Sequence, residues 1–523
     1  WMKRIALVCL VTGAAALVIA GLGLAFSVRS QNALYWSLRV GWTILRWFAV
    51  IEVLGQGTLA VALSFWVTAF WIERYYVKLI AVAGLLALCA AALIIKAIFR
   101  KLSDSANFDG QLVTKEQAPL LWERVSHMAE RLKIAPPDNI FVGIDDNFFV
   151  TEHPVEVGEK RFTGRTLFMS LSLLKTLTRS EADSVLAHEL AHFSGEDTIY
   201  SKRISPLLGK YAHYLEALYQ GGISRPIFHF MLMFWNAYHL ALNKLRRARE
   251  FRADKIGAEM TSPNDMAQAL VKVAAYCRYR AKVQSTLFGK NQMVDRMDVF
   301  QRIESGFPDF IKVCASGTEL AEADTPHPFD SHPPLARRIE NIGLECKSVL
   351  AAPGAVPSVD NSWYSAIAGA EAIEAAQWKA FEETFHAAHQ EMLAWRFKPE
   401  GEVEIAHVQK YFPVMQFGKG EKKIATLDYE KLQIAADAPI FFSTIKSCRV
   451  KEGQLGGQNL VIDCEAAGEK QSHKINLKQF DGNGAQLIKT FEKYYGRHMT
   501  AKNYASELAR QAETSATTTK AED

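Results

Sequence analysis

Ala187-His188-Glu189-Leu190-Ala191-His192 is the stretch on which the reading of this chain turns. Positions i and i+4 share one face of a helix, so His188 and His192 aim two imidazoles at a common point. Glu189, beside the first histidine, is set to take a proton from a water activated there. With 14 histidines in 523 residues, a His-Glu-x-x-His string arises by accident in roughly a few per cent of such chains, so its surroundings must agree. They do. Ser180 reads as an N-cap with Asp183 three residues on, in capping-box fashion. Val185, Leu186, Leu190 and Phe193 recur near helical spacing, and Gly195 closes the helix. The competing reading is an amphipathic helix whose histidines are polar decoration.

A catalytic zinc takes three protein ligands and keeps its fourth position for water. The third candidate lies downstream in Arg249-Glu250-Phe251-Arg252-Ala253-Asp254, where Glu250 and Asp254 sit one helical turn apart. Read alone, this run among Arg246, Arg247, Arg249 and Arg252 is as easily a solvated face of mixed charge. Beside the histidine motif, the ligand reading is favoured.

Over about residues 100 to 345 the chain resembles the integral-membrane zinc metallopeptidases of the heat-shock protease HtpX and CAAX prenyl-protease group. The resemblance implies one Zn2+ held by His188, His192 and Glu250, with Glu189 as general base and Asp254 orienting a ligand histidine. Asp146-Asn147-Phe148-Phe149-Val150 resembles the family's Asn-Ala-Phe edge strand, which pairs with extended substrate and assigns substrate contacts to Asn147, Phe148 and Phe149. Phe148 stands where the family usually has alanine, which puts the width of the adjoining pocket in question. Ser331-His332-Pro333-Pro334-Leu335-Ala336-Arg337-Arg338-Ile339 resembles the family's His-Pro segment and Arg-Ile helix start, with His332 facing substrate. The implied function is a zinc metalloendopeptidase cutting protein substrates at or near the bacterial inner membrane, in quality control or processing. The alternative is a catalytically inactive, zinc-bearing membrane scaffold that recruits partners through its C-terminal domain.

The formal net charge of +4 is small for 523 residues and leaves no nucleic-acid footprint. Seven cysteines, at 9, 89, 277, 314, 346, 448 and 464, include no Cys-x-x-Cys pair and suit free thiols in a reducing compartment. Cys448 and Cys464 are spaced to face each other across a hairpin, with shared burial the favoured reading. Trp1 ahead of Met2-Lys3-Arg4 looks appended and carries no weight here.

Uncharged runs at Ile5–Val28, Val53–Ile72 and Leu79–Ile95 suit membrane spans, the third with Lys78 and Lys96 snorkelling from its ends. A cleaved signal peptide rivals the first run, but its length and the spans that follow favour an anchor. Trp36, Arg39, Trp42, Arg46 and Trp47 read as interfacial anchors or a fourth, poorer span. Three or four spans both place the catalytic domain in the cytoplasm under the positive-inside rule. Pro226–Asn243 is a re-entrant, interfacial or long buried helix, its His229 and His239 serving packing rather than metal.

The expected fold is mainly α with a small β-sheet: N-terminal transmembrane helices, a zincin-type peptidase domain and a small C-terminal β/α domain. The boundaries read as a transmembrane region at 1–103, peptidase at 104–345, linker and long helix at 346–398, β-rich domain at 399–510 and disordered tail at 511–523. Within the peptidase region a helix is expected at Ala118–Leu132, with strands at Asn139–Ile144 and Thr166–Ser170. Pro- and Gly-rich Ala351–Ser358 marks the boundary before an alanine-rich helix at Trp363–Trp395. Strands follow at Val403–Val408, Ile440–Ser443, Ser447–Val450, Leu460–Cys464 and His473–Leu477, then a helix at Gly484–Tyr495. Several strands closed by one helix resemble a pleckstrin-homology-like barrel, whose plain role is stability or partner contact.

Overall fold

The computed structural model describes residues 1–71, 73–74, 76–99, 106–194, 203–222, 224–316, 333–418, 424–452, 458–466, 468–480 and 482–522, with backbone only at 106, 314–316, 452 and 511–522. Gly195, Ser331 and His332 lie outside the described residues.

Among the described residues three helices, Met2–Ser27, Gln31–Trp71 and Val77–Ile98, are long and apolar enough to cross a bilayer. The expected interfacial stretch is neither a fourth span nor a separate element. It forms the first half of the 41-residue helix Gln31–Trp71, which at 1.5 Å per residue runs about 60 Å, twice a hydrocarbon core. One face of that half is buried: Leu34, Leu38, Trp42, Leu45 and Val50 pack with Leu208, Tyr211, Tyr214, Met231, Phe234 and Tyr238. Those partners come from helices Ser205–Gln220 and Arg225–Met260, bound to each other by the Tyr211 hydroxyl donating to Met231 O at 2.8 Å. Of the expected anchors only Trp42 is buried in this base; Trp36, Arg39 and Trp47 stay exposed on the other face of the helix.

Pro226–Asn243 continues without a break into the carboxylate segment, giving one helix of 36 residues from Arg225 to Met260. His229 is exposed, and His239 is half-buried against Trp235, their rings 4.2 Å apart.

A four-stranded mixed sheet backs the motif helix in the order 111–112, 139–143, 166–170, 149–151. The central pair Asn139–Gly143 and Thr166–Ser170 is parallel and buried almost throughout, as its unbroken Ile-Phe-Val and Leu-Phe-Met runs require. Phe149–Thr151 adds antiparallel at the margin, Phe149 opposite Phe168 and Thr151 opposite Thr166.

The motif helix spans Arg179–Ala191. Its N-cap is Thr178, not Ser180: the Thr178 hydroxyl accepts from Glu181 N–H at 3.2 Å, and Glu181 accepts from Thr178 N–H at 2.8 Å. Ser180 instead donates to Asp265 at 2.8 Å. Nor is the helix amphipathic. Every residue from Glu181 to His188 is buried, and its acids are paired internally. Asp183 meets Arg124 at 2.7 Å and accepts from the Trp363 indole at 2.8 Å, while Glu181 meets fully buried Lys272 at 2.8 Å.

Ala351–Ser358 is a docked strap instead of a free linker. Gly354 N–H donates to Gln268, Gln268 to Ala352 O, and Lys272 to Ala355 O. Proline and glycine keep this backbone extended, and buried polar side chains satisfy the groups a helix would have paired. Beyond it, Glu374 accepts from Ser172, Lys175 and Tyr364 at 2.7–3.0 Å.

Contacts divide the chain into two compact units, Trp1–Val283 with Phe300–Trp378, and Gln284–Val299 with Lys379–Asp523. The C-terminal stretch of the second unit begins inside helix Ala370–Arg396, at Lys379, short of residue 399. It contains a four-stranded antiparallel sheet (415–417, 425–427, 431–434, 440–441), a three-stranded one (445–452, 458–466, 469–476) and the final helix Gly484–Glu522. Phe397, Phe412, Leu427, Phe442, Ile462, Phe480 and Phe491 fill its core. Val403–Val408, expected as a strand, lies in helix Glu402–Tyr411: two beats of alternation lose to Ile405, Val408 and Phe412 at helical spacing, with Glu402 and Glu404 favouring the N-terminus. Cys448 and Cys464 do not face each other. Cys464 is buried opposite Ile445, and Cys448 is exposed opposite Ile462. The final helix continues through the Thr/Ala/Lys stretch expected to be disordered.

Candidate metal centre

One atom each of His188, His192 and Glu250 lies within 4.8 Å of the others. His188 Nε2 is 3.6 Å from Glu250 Oε2, and His192 Nε2 is 3.6 Å from Glu250 Oε1. The two imidazoles stand at 89° with centroids 5.0 Å apart. Tetrahedral ligands with bonds of about 2.0–2.1 Å are separated by about 3.4 Å, so these three groups fit around a small divalent ion. His192 keeps αR dihedrals one residue past the last helical position, which preserves the shared face.

Three features of the 225–260 helix hold it to the motif helix. Arg252 Nη2 reaches Ala191 O at 3.3 Å and Ser194 O at 3.4 Å, a cation on the motif helix's C-terminal carbonyls. Gly257 lets the backbones close up: a Cβ there would stand 2.8 Å from Ser184 O and 2.8 Å from Met266 Sδ. Ser184 and Thr261 share a hydrogen bond between their hydroxyls.

Asp254 Oδ1 is 3.0 Å from His188 Nδ1, although the N–H does not point straight at it. Arg338 grips the same carboxylate and also comes within 3.9 Å of Glu250. Burial works to lower the His188 pKa, but the Asp254 and Glu250 carboxylates override it and lift the imidazole to about 9. Burial alone would raise the Asp254 carboxyl; Arg338 and His188 hold it below the usual range. An acidic, imidazole-rich donor set of this kind suits a cation whose charge replaces a proton.

A cavity of about 180 Å³ adjoins the cluster, and Glu189, His192, Phe149, Val150, Thr151 and His153 are among its lining residues. Of the sequence-derived candidates, His188, His192, Glu250 and Asp254 converge, and Glu189 shares the cavity with Phe149. Asn147 and Phe148 precede the strand, with Phe148 only 6% exposed; the marginal strand starts two residues later than the sequence motif suggests. Phe149 stacks on Phe168, centroids 4.8 Å apart. Sequence reading missed Arg338, Arg252 and Gly257. Arg338 lies in the Ser331–Ile339 segment and Arg252 in the Arg249–Asp254 run, but no role followed for either.

Residues 117–344 match the family described as Peptidase family M48. A protease HtpX homolog of Gemmatimonas aurantiaca is 26% identical over 183 residues, covering 33% of this chain and 63% of the relative. One from Pyrococcus furiosus is 26% identical over 254 residues, 45% of this chain and 76% of the relative. Protease HtpX of Pseudoalteromonas atlantica is 26% identical over 238 residues, 42% and 70% of the two chains. The chain thus spans between about three-fifths and three-quarters of these curated relatives. No solved structure matches it. With its paired histidines and carboxylates and, among the described residues, three apolar helices, the chain is similar to peptidase family M48 over residues 117–344 and to membrane proteases of the HtpX type.

Proposed function

We propose that this chain is a membrane-anchored, zinc-dependent endopeptidase acting on protein substrates at or near the bilayer, in membrane-protein quality control or processing. The observation that carries the reading is the convergence of His188, His192 and Glu250 beside a cavity that also holds Glu189. In it, those three side chains hold one ion, and Asp254 fixes the ring orientation of His188. Zinc, when bound, supplies a Lewis acid for the scissile carbonyl and acidifies water. Glu189 takes the proton of the attacking water and passes it to the leaving amine. Substrate backbone lies extended along 149–151, whose partner strand 166–170 occupies the other side. Residues 104–345 form the peptidase region, and a bacterial inner membrane holds the anchor.

With three spans, the sequence puts Arg29, Arg39, Arg46, Lys96, Arg100 and Lys101 on the catalytic side against Lys3, Arg4, Arg74 and Lys78 opposite, which favours a cytoplasmic active site.

The test is Glu189→Gln. The variant keeps about one zinc per chain and loses cleavage of an unfolded reporter. A variant that still cuts removes Glu189 from the mechanism, and zinc-loaded wild type that cuts nothing across a broad substrate panel supports the scaffold.

A further inference from the structure

We propose that the groove beside Arg497, in the second unit, is a binding site for a phosphate monoester carried on an apolar body. The groove has a volume of about 670 Å³, within the range of small-molecule sites. Its charged lining is Lys398, Arg497 and Lys502 against the single carboxylate of Glu430. Three cations less one anion leave an excess of two positive charges, the charge of a phosphate monoester dianion near neutral pH.

Arg497 makes this a built site rather than a patch of surface lysines. Its side chain belongs to a residue only 2% exposed, and two of its donors are spent on main-chain carbonyls, Nε on Ala394 O at 3.0 Å and Nη2 on Phe397 O. Its guanidinium lies 5.5 Å from the ring centre of Tyr429. Among the described residues no carboxylate comes within ion-pair distance of it. Buried arginines are ordinarily paired, because an isolated charge out of water is costly. Here the carbonyls and the ring hold the guanidinium in place and leave its charge to be answered from the groove. The field is felt next door. Burial first, then Arg497, Lys502 and Lys398, hold the His498 imidazole below its ordinary pKa.

The remaining wall is of another kind. Ala501, Ala505 and Ala509 follow one another at helical spacing, with Phe441 and Pro399 also lining the groove. Small side chains leave room there for an apolar body, while the Ser443 and Ser506 hydroxyls add short polar groups suited to phosphate oxygens. An inorganic anion would leave the apolar wall unused, and a neutral lipid would leave Arg497 unanswered. A phosphate monoester with an apolar body uses both.

The experiment takes the full chain in nanodiscs of phosphatidylcholine and titrates two probes, soluble 2-naphthyl phosphate and dihexanoyl phosphatidate, with dihexanoyl phosphatidylcholine as control. Saturable binding of either phosphate probe is expected, weakened at least tenfold in Lys398→Gln/Lys502→Gln. Ala505→Trp, which fills the groove and leaves every charge in place, abolishes binding with no change in unfolding temperature. Tighter binding of the phosphatidate assigns the site to a lipid headgroup, and tighter binding of naphthyl phosphate to a soluble ligand. The proposal is overturned when neither probe saturates at millimolar concentration, when the choline lipid binds equally well, or when both variants bind like wild type.

Discussion

Arg338 holds Asp254 with two nitrogens, Nε at 2.9 Å from Oδ2 and Nη2 at 2.6 Å from Oδ1. Asp254 is fully buried and leans on His188, so the arginine fixes the face of the proposed metal site without itself forming it. Arg338→Ala strands a buried carboxylate and frees the His188 ring. Zinc affinity, measured by competition with a chromophoric chelator, is expected to fall about 10- to 100-fold, the usual cost of losing an outer partner of a metal ligand. Arg338→Lys recovers only part of this, because a single ammonium does not reproduce the fork.

Helix spacing is tested at Gly257. A valine there collides with the Ser184 carbonyl, which is main chain and yields only by moving the motif helix. Overpacking costs about 1–3 kcal/mol, and the separation carries Glu250 away from the histidines. The expected outcome of Gly257→Val is a lower unfolding temperature together with sub-stoichiometric zinc by elemental analysis. Gly257→Val with full zinc occupancy would show that close approach is not what sets the ligand distances.

Proton and metal compete at His188. Its pKa, about 9 against an ordinary 6.5, means that the protonated imidazole stabilises the metal-free fold. This contribution is complete below pH 6.5, is lost as pH rises through 9, and is on the order of a few kcal/mol. Zinc needs the neutral ring, so apparent affinity rises with pH across the same window. Unfolding temperature in chelator is therefore expected to fall from pH 6.5 to 9.5, while the increment gained on adding zinc grows. A zinc increment that shrinks with rising pH would show that the His188 proton is not displaced.

How far the sequence carried the site depends on which interactions are local. His188, Glu189 and His192 sit within one helical turn, so spacing alone brings them together. Glu250 and Asp254 are likewise a turn apart, and only the family resemblance ties them to the histidines. Arg338, Arg252 and Gly257 act across helices, through a fork, a carbonyl clamp and a missing Cβ, none of which leaves a periodic trace. The same holds for the fold. Buried strands 139–143 and 166–170 are written as unbroken apolar runs, whereas the burial of one face of Gln31–Val50 is hidden because Leu34, Leu38, Trp42 and Leu45 pack on protein that the chain supplies much later. Ala351–Ser358 reads as a boundary because prolines exclude a helix, and nothing local says that Lys272 and Gln268 receive its carbonyls.

Lys272 is the residue whose removal distinguishes structural support from chemistry. It is fully buried, pairs with Glu181 at 2.8 Å and donates to the strap at Ala355 O. Lys272→Met leaves Glu181 charged and unanswered inside the body, and breaking one side of a buried pair costs about 3–5 kcal/mol. Glu181 also completes the capping box that starts the motif helix. Adding Glu181→Gln removes the stranded charge while keeping a side chain able to close the box, so the double variant is expected to regain part of the unfolding temperature lost in Lys272→Met. A double variant less stable than Lys272→Met would mean that the Glu181 charge is answered by some other group and that the strap contact, not the ion pair, is what Lys272 supplies.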